Sequence, residues 1–401
     1  MFNQHPRVVT RYVLWVIFLT GTAITGRTQA DAVKVQSLFD SGNVLLEKGE
    51  FQNAVDKYSA AIALAPQWPL PYINRGIANL SLSKLTEALS DTDKALSLLS
   101  SGSFPKSHSA LANNLKGLIF LQKGDAQSSI EYFSESIRLE PRNALRWNGR
   151  GNSYQMLKRY DEALADYSKA IEIDKTVVQF FTNRATINQH LKNYDAAAGD
   201  LDEALKLDKN NSTAYYTRAN INLTLGKFDE ALLDYNQAIS LKPRAEYYHG
   251  RGILYYKKSK WDLAVQDNTD AIKLDPNNSH AYANRGACYI RLGKLNLAVE
   301  DYRIVVALKG NSSQGRYGLA YLFYQTGQYS AALTEANQVI SLAPNWRSAY
   351  RLRSAIHTKL GNTIKARADS DTALKMTSEN RPLDGPFAFD LSVFVPEEKQ
   401  K

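Results

Sequence analysis

A repeat of about 34 residues fills most of this 401-residue chain and constrains its fold more than any other feature. Small side chains recur in each unit at three positions, for example Gly42, Ala54 and Ala61 in the first unit. A period of this length predicts a solenoid, in which each unit buries its apolar face against the next. Ten units, each numbered from its own place 1, begin at Val35, Pro69, Ala110, Ala144, Val178, Ser212, Ala245, Ser279, Ser313 and Arg347.

Each unit is predicted to form two antiparallel helices joined by a tight turn. The first helix carries an aromatic residue and a small residue, such as Trp147 and Gly151, and the second carries two alanines seven residues apart, such as Ala163 and Ala170. Seven residues are two helical turns, so both alanines lie on one face and let helices approach closely. Glycine, which tolerates a positive φ, marks the turn at Gly49, Gly124, Gly226, Gly293, Gly327 and Gly361. The array is predicted to span residues 35–378, with a loop insert at 100–109.

This pattern resembles the tetratricopeptide repeat family. The fourth unit carries the matching run Trp147…Asn148-Gly149-Arg150-Gly151…Tyr160-Asp161-Glu162-Ala163…Ala170. The eighth carries Tyr282-Ala283-Asn284-Arg285-Gly286…Gly293. The resemblance implies an all-α, right-handed superhelical solenoid of antiparallel helix pairs. It also implies a concave groove, lined by the first helices, that holds peptides or protein partners.

An arginine at place 7 and an aspartate sixteen residues later occur together in seven units. We predict that each forms a partly buried ion pair between the two helices of its unit, which favours a structural role over a basic track for an acidic ligand. The predicted pairs are Arg75–Asp91, Arg150–Asp166, Arg184–Asp200, Arg218–Asp234, Arg251–Asp267, Arg285–Asp301 and Arg353–Asp369.

The family geometry directs places 2, 5, 9, 12 and 13 of the first helix toward the groove. Amide side chains there suit a peptide backbone, because they both donate and accept hydrogen bonds, and tyrosines add flat contact area. An extended peptide or a saccharide fits this composition better than a highly charged ligand, and ordinary solvated positions are the alternative interpretation. The predicted groove residues are Asn148, Asn152, Gln155, Gln189, Tyr216, Asn220, His249, Tyr256, Lys257, Arg291, Tyr317 and Tyr324.

No catalytic, cofactor or metal motif stands out in the sequence. The six histidines are scattered, with His249 and His280 the best of a weak set of metal-ligand candidates, and Cys288 is the only cysteine. We therefore predict a non-enzymatic scaffold or adaptor without cofactors, which binds a protein or peptide and could also self-associate. The alternative is a cell-envelope factor in polysaccharide synthesis or export, or in envelope-complex assembly.

The first thirty residues differ from the array and predict export. Arg7 and Arg11 precede an apolar run from Tyr12 to Ile24, and Ala30 ends a small-residue cleavage signal. A run of 13 residues is short for a membrane span, which needs about 20. We predict a signal peptide at 1–30 and a periplasmic or secreted protein, with an uncleaved membrane anchor as the alternative. Removal of residues 1–30 would take away three arginines and lower the net charge from +9 to +6 (46 minus 40), which is modest for this length and does not indicate nucleic-acid binding.

Residues 379–401 break the period. Prolines at 382, 386 and 396 oppose a long helix, while residues 387–395 are strongly apolar. A solenoid needs a cap where its last unit would expose core, so we expect this tail to cap the tenth unit. The alternatives are an anchor for another protein or an insertion into a groove.

Overall fold

Helices occupy nearly all of the part of the chain that this computed structural model describes, residues 29–310 and 312–376. The predicted signal peptide, apart from its last two residues, and the predicted C-terminal cap lie outside the described residues. No helix in the described ranges is long and apolar enough to span a membrane. The helices are α1 Gln29–Glu47, α2 Phe51–Leu64, α3 Pro69–Ser81, α4 Leu85–Ser101, α5 Lys106–Lys123, α6 Ala126–Leu139, α7 Ala144–Met156, α8 Tyr160–Ile173, α9 Val178–His190, α10 Tyr194–Leu207, α11 Ser212–Thr224, α12 Phe228–Leu241, α13 Ala245–Lys257, α14 Trp261–Leu274, α15 Ser279–Arg291, α16 Leu295–Leu308, α17 Ser313–Gln325, α18 Tyr329–Leu342, α19 Arg347–Lys359 and α20 Thr363–Lys375.

The helices pair into ten consecutive hairpins, one for each predicted repeat, which confirms the all-α helical solenoid. The chain divides into two compact units after Lys209, so that unit 1 holds α1–α10 and unit 2 holds α11–α20. Within each unit, the second helix of one repeat packs against the first helix of the next. Consecutive first helices also contact each other, as α3 does with α5 and α13 with α15.

Every hairpin turn contains one residue with a positive φ. The six predicted glycines have φ between 70° and 84°. In the other four repeats the same conformation falls on Ser83, Lys158, Lys192 and Ser259, with φ between 57° and 62°. The turn is closed in each case by backbone hydrogen bonds to the preceding helix, for example from Lys192 N to Gln189 O and from Asn193 N to Asn188 O. The positive φ at this turn is thus a property of the repeat. Glycine lowers its energetic cost, but the turn also forms without glycine.

Small residues let the helices of a hairpin approach closely. Ala163 and Ala170 of α8 are fully buried, and so is Tyr167 between them. A Cβ added at Gly151 would lie 2.8 Å from the Tyr167 ring, so a larger residue there would force the helices apart. An aromatic ring of the second helix set against a small residue of the first forms the core of this repeat, and the same arrangement recurs with Tyr58, Phe133 and Tyr302.

The insert between the second and third repeats is mostly helical. Helices α4 and α5 have 17 and 18 residues, whereas most helices of the array have 13 or 14. Only residues 102–105 separate them, so the link is narrower than the predicted loop at 100–109. Pro105 is the last residue of this link and the N-cap of α5, where its missing backbone N–H removes no bond within the helix.

All seven predicted Arg–Asp pairs lie within salt-bridge distance. The nitrogen–oxygen distances run from 2.6 Å in Arg75–Asp91 to 2.8 Å in Arg150–Asp166. The aspartates are 3–8% exposed and the arginines 17–26% exposed. Most of each guanidinium therefore lies inside its own repeat, where it serves helix packing.

The same arginines also bond to the preceding repeat, which the sequence analysis missed. Nη1 of Arg251 donates to Asn236 Oδ1 at 2.6 Å, and the acceptor is always the polar residue at place 25. In the third repeat, Lys116 takes the place of arginine and lies 2.7 Å from Asp93. The other contacts of this kind are Arg75–Ser59, Arg150–Ser134, Arg184–Ser168, Arg285–Thr269 and Arg353–Asn337.

We predict that Gly199→Ala and Gly226→Ala change stability in opposite directions. A Cβ added at either glycine would meet no atom within 4 Å, so only the backbone matters. Gly199 lies inside α10, where alanine should add about 1 kcal/mol to the free energy of unfolding. Gly226 has φ of 75°, so alanine there should remove about 1 kcal/mol or more. Urea unfolding measures both, and changes of the same sign would contradict this account of the turns.

Removing one charge of a buried pair should cost far more than removing both. Burial raises the pKa of the Asp267 carboxyl and the Arg251 guanidinium opposes that rise, so the intact pair adds little net stability. Asp267→Asn leaves Arg251 without its carboxylate and should lower the free energy of unfolding by about 3 kcal/mol. The double variant R251M/D267L should recover at least half of that loss.

The matched control is Asp229→Asn, because Asp229 pairs with Lys258 but its side chain is 87% exposed. This change should cost under about 1 kcal/mol. Equal losses in the Asp267 and Asp229 variants, measured by urea unfolding, would show that burial of the pair is unimportant.

Candidate functional site

The candidate site is the face formed by consecutive first helices within each unit. Direct contact between neighbouring first helices places them side by side, so ligand-facing side chains of adjacent repeats come into line. Consecutive second helices have no comparable contact among the described residues. The site is described separately for each unit below.

In unit 1 the predicted residues join an amide cluster between the fourth and fifth repeats. Asn183 Nδ2 donates to Asn148 Oδ1 at 2.9 Å and to Asn152 Oδ1 at 3.1 Å. The Tyr167 hydroxyl lies 2.8 Å from both Asn152 Oδ1 and Gln155 Oε1. Asn152 and Gln155 are half-buried, so each still offers part of its amide to a ligand.

The cluster depends on Asn183, which the sequence analysis did not name. It stands at place 6 of its repeat, as do Asn74 and Asn284. Asn74 Nδ2 donates to Asn43 Oδ1 at 2.8 Å, and Asn284 Nδ2 lies 3.2 Å from His249 Nδ1. Recurrence of asparagine at place 6 was the available signal for a polar contact between neighbouring first helices.

Place 5 contacts the next repeat and does not face an open surface. Asn148 and Tyr317 are fully buried, so their prediction as groove residues was wrong. Asn148 is covered by Asn183, and the Tyr317 ring packs 4.5 Å from Trp346. The physical reason is the close approach of neighbouring first helices, which covers any side chain directed along the array.

Two other place-5 residues, Tyr216 and His249, are half-buried for the same reason. The Tyr216 ring lies 4.7 Å from that of Tyr247 in the next repeat, and burial raises the pKa of its phenol. Beside it, the Tyr235 hydroxyl donates to Asn220 Oδ1 at 2.6 Å. Tyr216 thus acts mainly in packing, while Asn220 at place 9 is half-buried and partly available.

His249 is held as a neutral imidazole. Its Nδ1 lies 3.4 Å from Asn268 Oδ1, and its ring centroid lies 6.3 Å from that of His280. Burial lowers its pKa to about 4. Lys309 Nζ lies 3.3 Å from His280 Nε2, where a cation disfavours metal binding. The described residues contain no cluster of three or more His, Cys, Asp or Glu with metal-binding geometry.

Places 12 and 13 form the more open part of the face. In unit 1, Gln189 is half-buried and precedes the exposed His190, whose ring stacks on Tyr160 at 5.4 Å. In unit 2, Tyr324 is half-buried and its ring lies 5.9 Å from that of Tyr329. Aromatic residues that begin the second helices therefore support this edge of the face.

The best-defined cluster on that edge is cationic and aromatic. Arg291 Nε donates to the Tyr256 hydroxyl at 3.2 Å, and the Arg291 guanidinium lies 5.6 Å from the Trp261 ring centroid. The Tyr256 and Trp261 rings meet edge to face at 4.8 Å. Arg291 and the nearby Lys257 remain exposed. This arrangement can hold an anionic or aromatic group against a supported ring.

We predict that His249 makes unit 2 sensitive to acid. Because its folded pKa of about 4 lies below the 6.5 of an ordinary histidine, the unfolded chain binds a proton that the folded chain does not. Stability should fall as pH drops from 6.5 to 4, by up to about 3 kcal/mol from this group. His249→Gln should remove that part of the pH dependence in urea unfolding, whereas His190→Gln, at an exposed ring, should leave it intact. Identical pH profiles for wild type and His249→Gln would contradict the assignment.

Comparison with known proteins matches this repeat in six segments of the chain. Tetratricopeptide repeat models match residues 110–143, 144–176, 212–244, 269–300 and 291–347, and a TPR repeat model matches 42–83. Together these matches cover more than half of the chain.

Similar curated proteins share only a segment with this one. Dynein axonemal assembly factor 4 of Mus musculus is 30% identical over 109 residues, covering 27% of this chain and 26% of that protein. The Hsp70-Hsp90 organizing protein of Triticum aestivum is 33% identical over 102 residues, covering 25% of this chain and 16% of that protein. The chain thus spans about a quarter or less of the length of these relatives.

Similar solved structures include YrrB, which is described as a TPR protein with an unusual peptide-binding site. It is 22% identical with a TM-score of 0.41, and the match covers 48% of this chain and 97% of that one. Yeast Tom70 is 16% identical with a TM-score of 0.44, covering 86% of this chain and 93% of that one. With the helical hairpins and the family matches on six segments, the chain belongs to the tetratricopeptide repeat family.

Proposed function

We propose that this protein is a non-catalytic adaptor that binds an extended segment of a partner protein along its first-helix face, outside the cytoplasm. The observation that carries the proposal is the row of partly open amide, aromatic and cationic side chains at places 9, 12 and 13. In unit 1 these are Asn152, Gln155 and Gln189, and in unit 2 Asn220, Tyr256, Lys257, Arg291 and Tyr324.

The spacing of the first helices suits an extended peptide. Packed helices lie about 8–10 Å apart, and an extended chain rises about 3.3 Å per residue. Every third residue of a peptide lying across the helices would therefore meet the same place of the next repeat. Amides at these places can donate to a peptide carbonyl or accept from a peptide N–H, which supports recognition of the main chain.

The charges of the first-helix face favour a partner segment that has both uncharged residues and an acidic or aromatic one. The place-7 arginines face their aspartates and are 17–26% exposed, so they form no continuous basic track. Exposed cations remain at Lys257 and Arg291, beside Tyr256 and Trp261. We expect an acidic or aromatic side chain of a segment bound on unit 2 to lie at this cluster, whereas the amides of unit 1 suit uncharged residues.

Two further observations support the proposal. The Hsp70-Hsp90 organizing protein, which resembles a quarter of this chain, is named for the proteins that it organizes. Residues 1–30 combine Arg7 and Arg11 with an apolar run, which supports export from the cytoplasm. The rival proposal, a cell-envelope factor in polysaccharide synthesis or export, would gain support if the chain co-purified with glycan-synthesis or export proteins.

Alanine at Gln155 and Gln189 together should weaken peptide binding. Each amide contributes about 1 kcal/mol through hydrogen bonds to a ligand, so the double variant should lose roughly 30-fold in affinity. Peptides selected from a random library on the whole protein provide the ligand, and fluorescence anisotropy provides the affinity.

The matched control carries alanine at Lys169 and Glu172, which lie exposed on the second helix of the fourth repeat. Its affinity should stay within about two-fold of wild type. Equal losses in both double variants, or a full loss in the control alone, would place the binding site elsewhere.

A further inference from the structure

The second helix of the tenth repeat presents the face that the second helices of earlier repeats in unit 2 pack against the next repeat. Three places of the second helix illustrate this contact in unit 2. At place 18, Asp229 accepts from Lys258 of the next repeat at 2.6 Å. At place 25, Asn337 accepts from Arg353 at 2.9 Å. At place 28, Val306 lies so near the next first helix that a Cβ added at Gly315 would be 3.1 Å from it.

In α20 the same three places hold Ile364, Asp371 and Leu374. Their spacing of seven and three residues puts them on one stripe of the helix. Ile364 is 86% exposed and Leu374 is 71% exposed. By contrast, the place-28 residues Ile239, Ile272 and Ile340 of unit 2 are half-buried. In α20, therefore, place 28 is exposed although the other repeats of unit 2 half-bury it, and place 18 carries an apolar side chain at a position that is exposed to solvent throughout the unit.

Two features suggest that this surface has its own ligand. Place 18 is polar in the preceding repeats of unit 2, at Asp229, Asp262, Asn296 and Ser330, yet it is isoleucine in the tenth. Asp371 is exposed and has no hydrogen-bond or ion-pair partner among the described residues. In most earlier repeats the residue at this place accepts a bond from a cation at place 7 of the next repeat, as Thr269 does from Arg285. The ligand should thus combine an apolar segment with a cation.

We propose that residues 381–395 of this chain dock on the stripe of Ile364, Asp371 and Leu374, with Arg381 pairing with Asp371. Arg381 follows the last described residue, Met376, by five positions, which an extended chain can span over about 17 Å. Asp371 precedes Met376 by five helical residues, or about 7 Å. The connecting chain is therefore long enough for Arg381 to pair with Asp371.

The segment also supplies the apolar half. Phe387, Phe389, Leu391 and Val393 alternate with smaller or polar residues, so that an extended chain presents all four on one side. A second copy of the protein fits less well, because place 7 of its first repeat is Ser41 and not a cation. Attachment to the same chain also gives the tail a high effective concentration at α20.

Hydrogen exchange of the α20 amides in the whole protein tests the proposal. Leu374→Ser should speed their exchange roughly ten-fold, since it removes an apolar contact with the tail. The matched control is Leu233→Ser in α12, because Leu233 is 70% exposed and also lies on a second helix. That variant should change exchange in α12 by less than two-fold. An unchanged rate in the Leu374 variant would overturn the proposal.

Changes in the tail identify the occupant. Phe389→Ser with Leu391→Ser should speed α20 exchange as Leu374→Ser does, and combining all three should add little. Full additivity would show that the tail and Leu374 act separately, against docking. Protection of α20 that rises with protein concentration would instead assign the surface to a second copy and reject the tail.

Charge reversal tests the ion pair. D371R and R381D should each weaken α20 protection, and the double variant D371R/R381D should restore it toward wild type. A double variant no better than either single one would reject the pairing of these two residues. Leu374 and Asp371 lie on α20, outside the first-helix face, so the effect of Leu374→Ser and D371R on α20 exchange is independent of the peptide-binding proposal.

Discussion

The guanidinium at place 7 holds three helices of this protein together. Arg251 donates to Asp267 on its own second helix and to Asn236 on the second helix before it. The two partners lie sixteen residues after and fifteen residues before it, so the repeat length itself is tied to this contact. A cation that satisfies both partners has little capacity left for a ligand. The binding chemistry of the first-helix face is therefore left to amides, tyrosines and the few cations at place 13.

The fold could be predicted from the sequence because its determinants repeat. The alanines of the second helices, the glycines of the turns and the paired charges each occur many times, so an exception does not hide the period. The positive φ at Lys158 and Lys192 was not predictable in this way, since lysine does not mark that conformation. It follows from the hydrogen bonds that close each turn, which depend on both helices being in place.

The candidate site was predicted only in part. The sequence analysis assigned each residue to a face of its own helix and could not include the neighbouring helices. Places 12 and 13 lie near the helix end, where Gln189 is half-buried and Arg291 is exposed. Place 5 is covered by the next repeat, which a single-helix view cannot show for Asn148 or Tyr317. Whether a side chain is available depends on the neighbour. In a solenoid, that neighbour is distant by a whole repeat in sequence.

The polar contacts also explain how stacked helices with alanine-rich seams keep a single alignment. A seam of small residues such as Ala264 and Ala271 is smooth, and dispersion alone distinguishes poorly between neighbouring alignments of two helices. A buried guanidinium distinguishes them well. If the first helix slid by one turn along its neighbours, Arg285 would move by about 5.4 Å and would lose its bonds to both Asp301 and Thr269. It would leave a buried carboxylate unpaired, at a cost far above the net value of the intact pair. The ion pairs thus favour one alignment of the stacked helices, while their net contribution to stability is small.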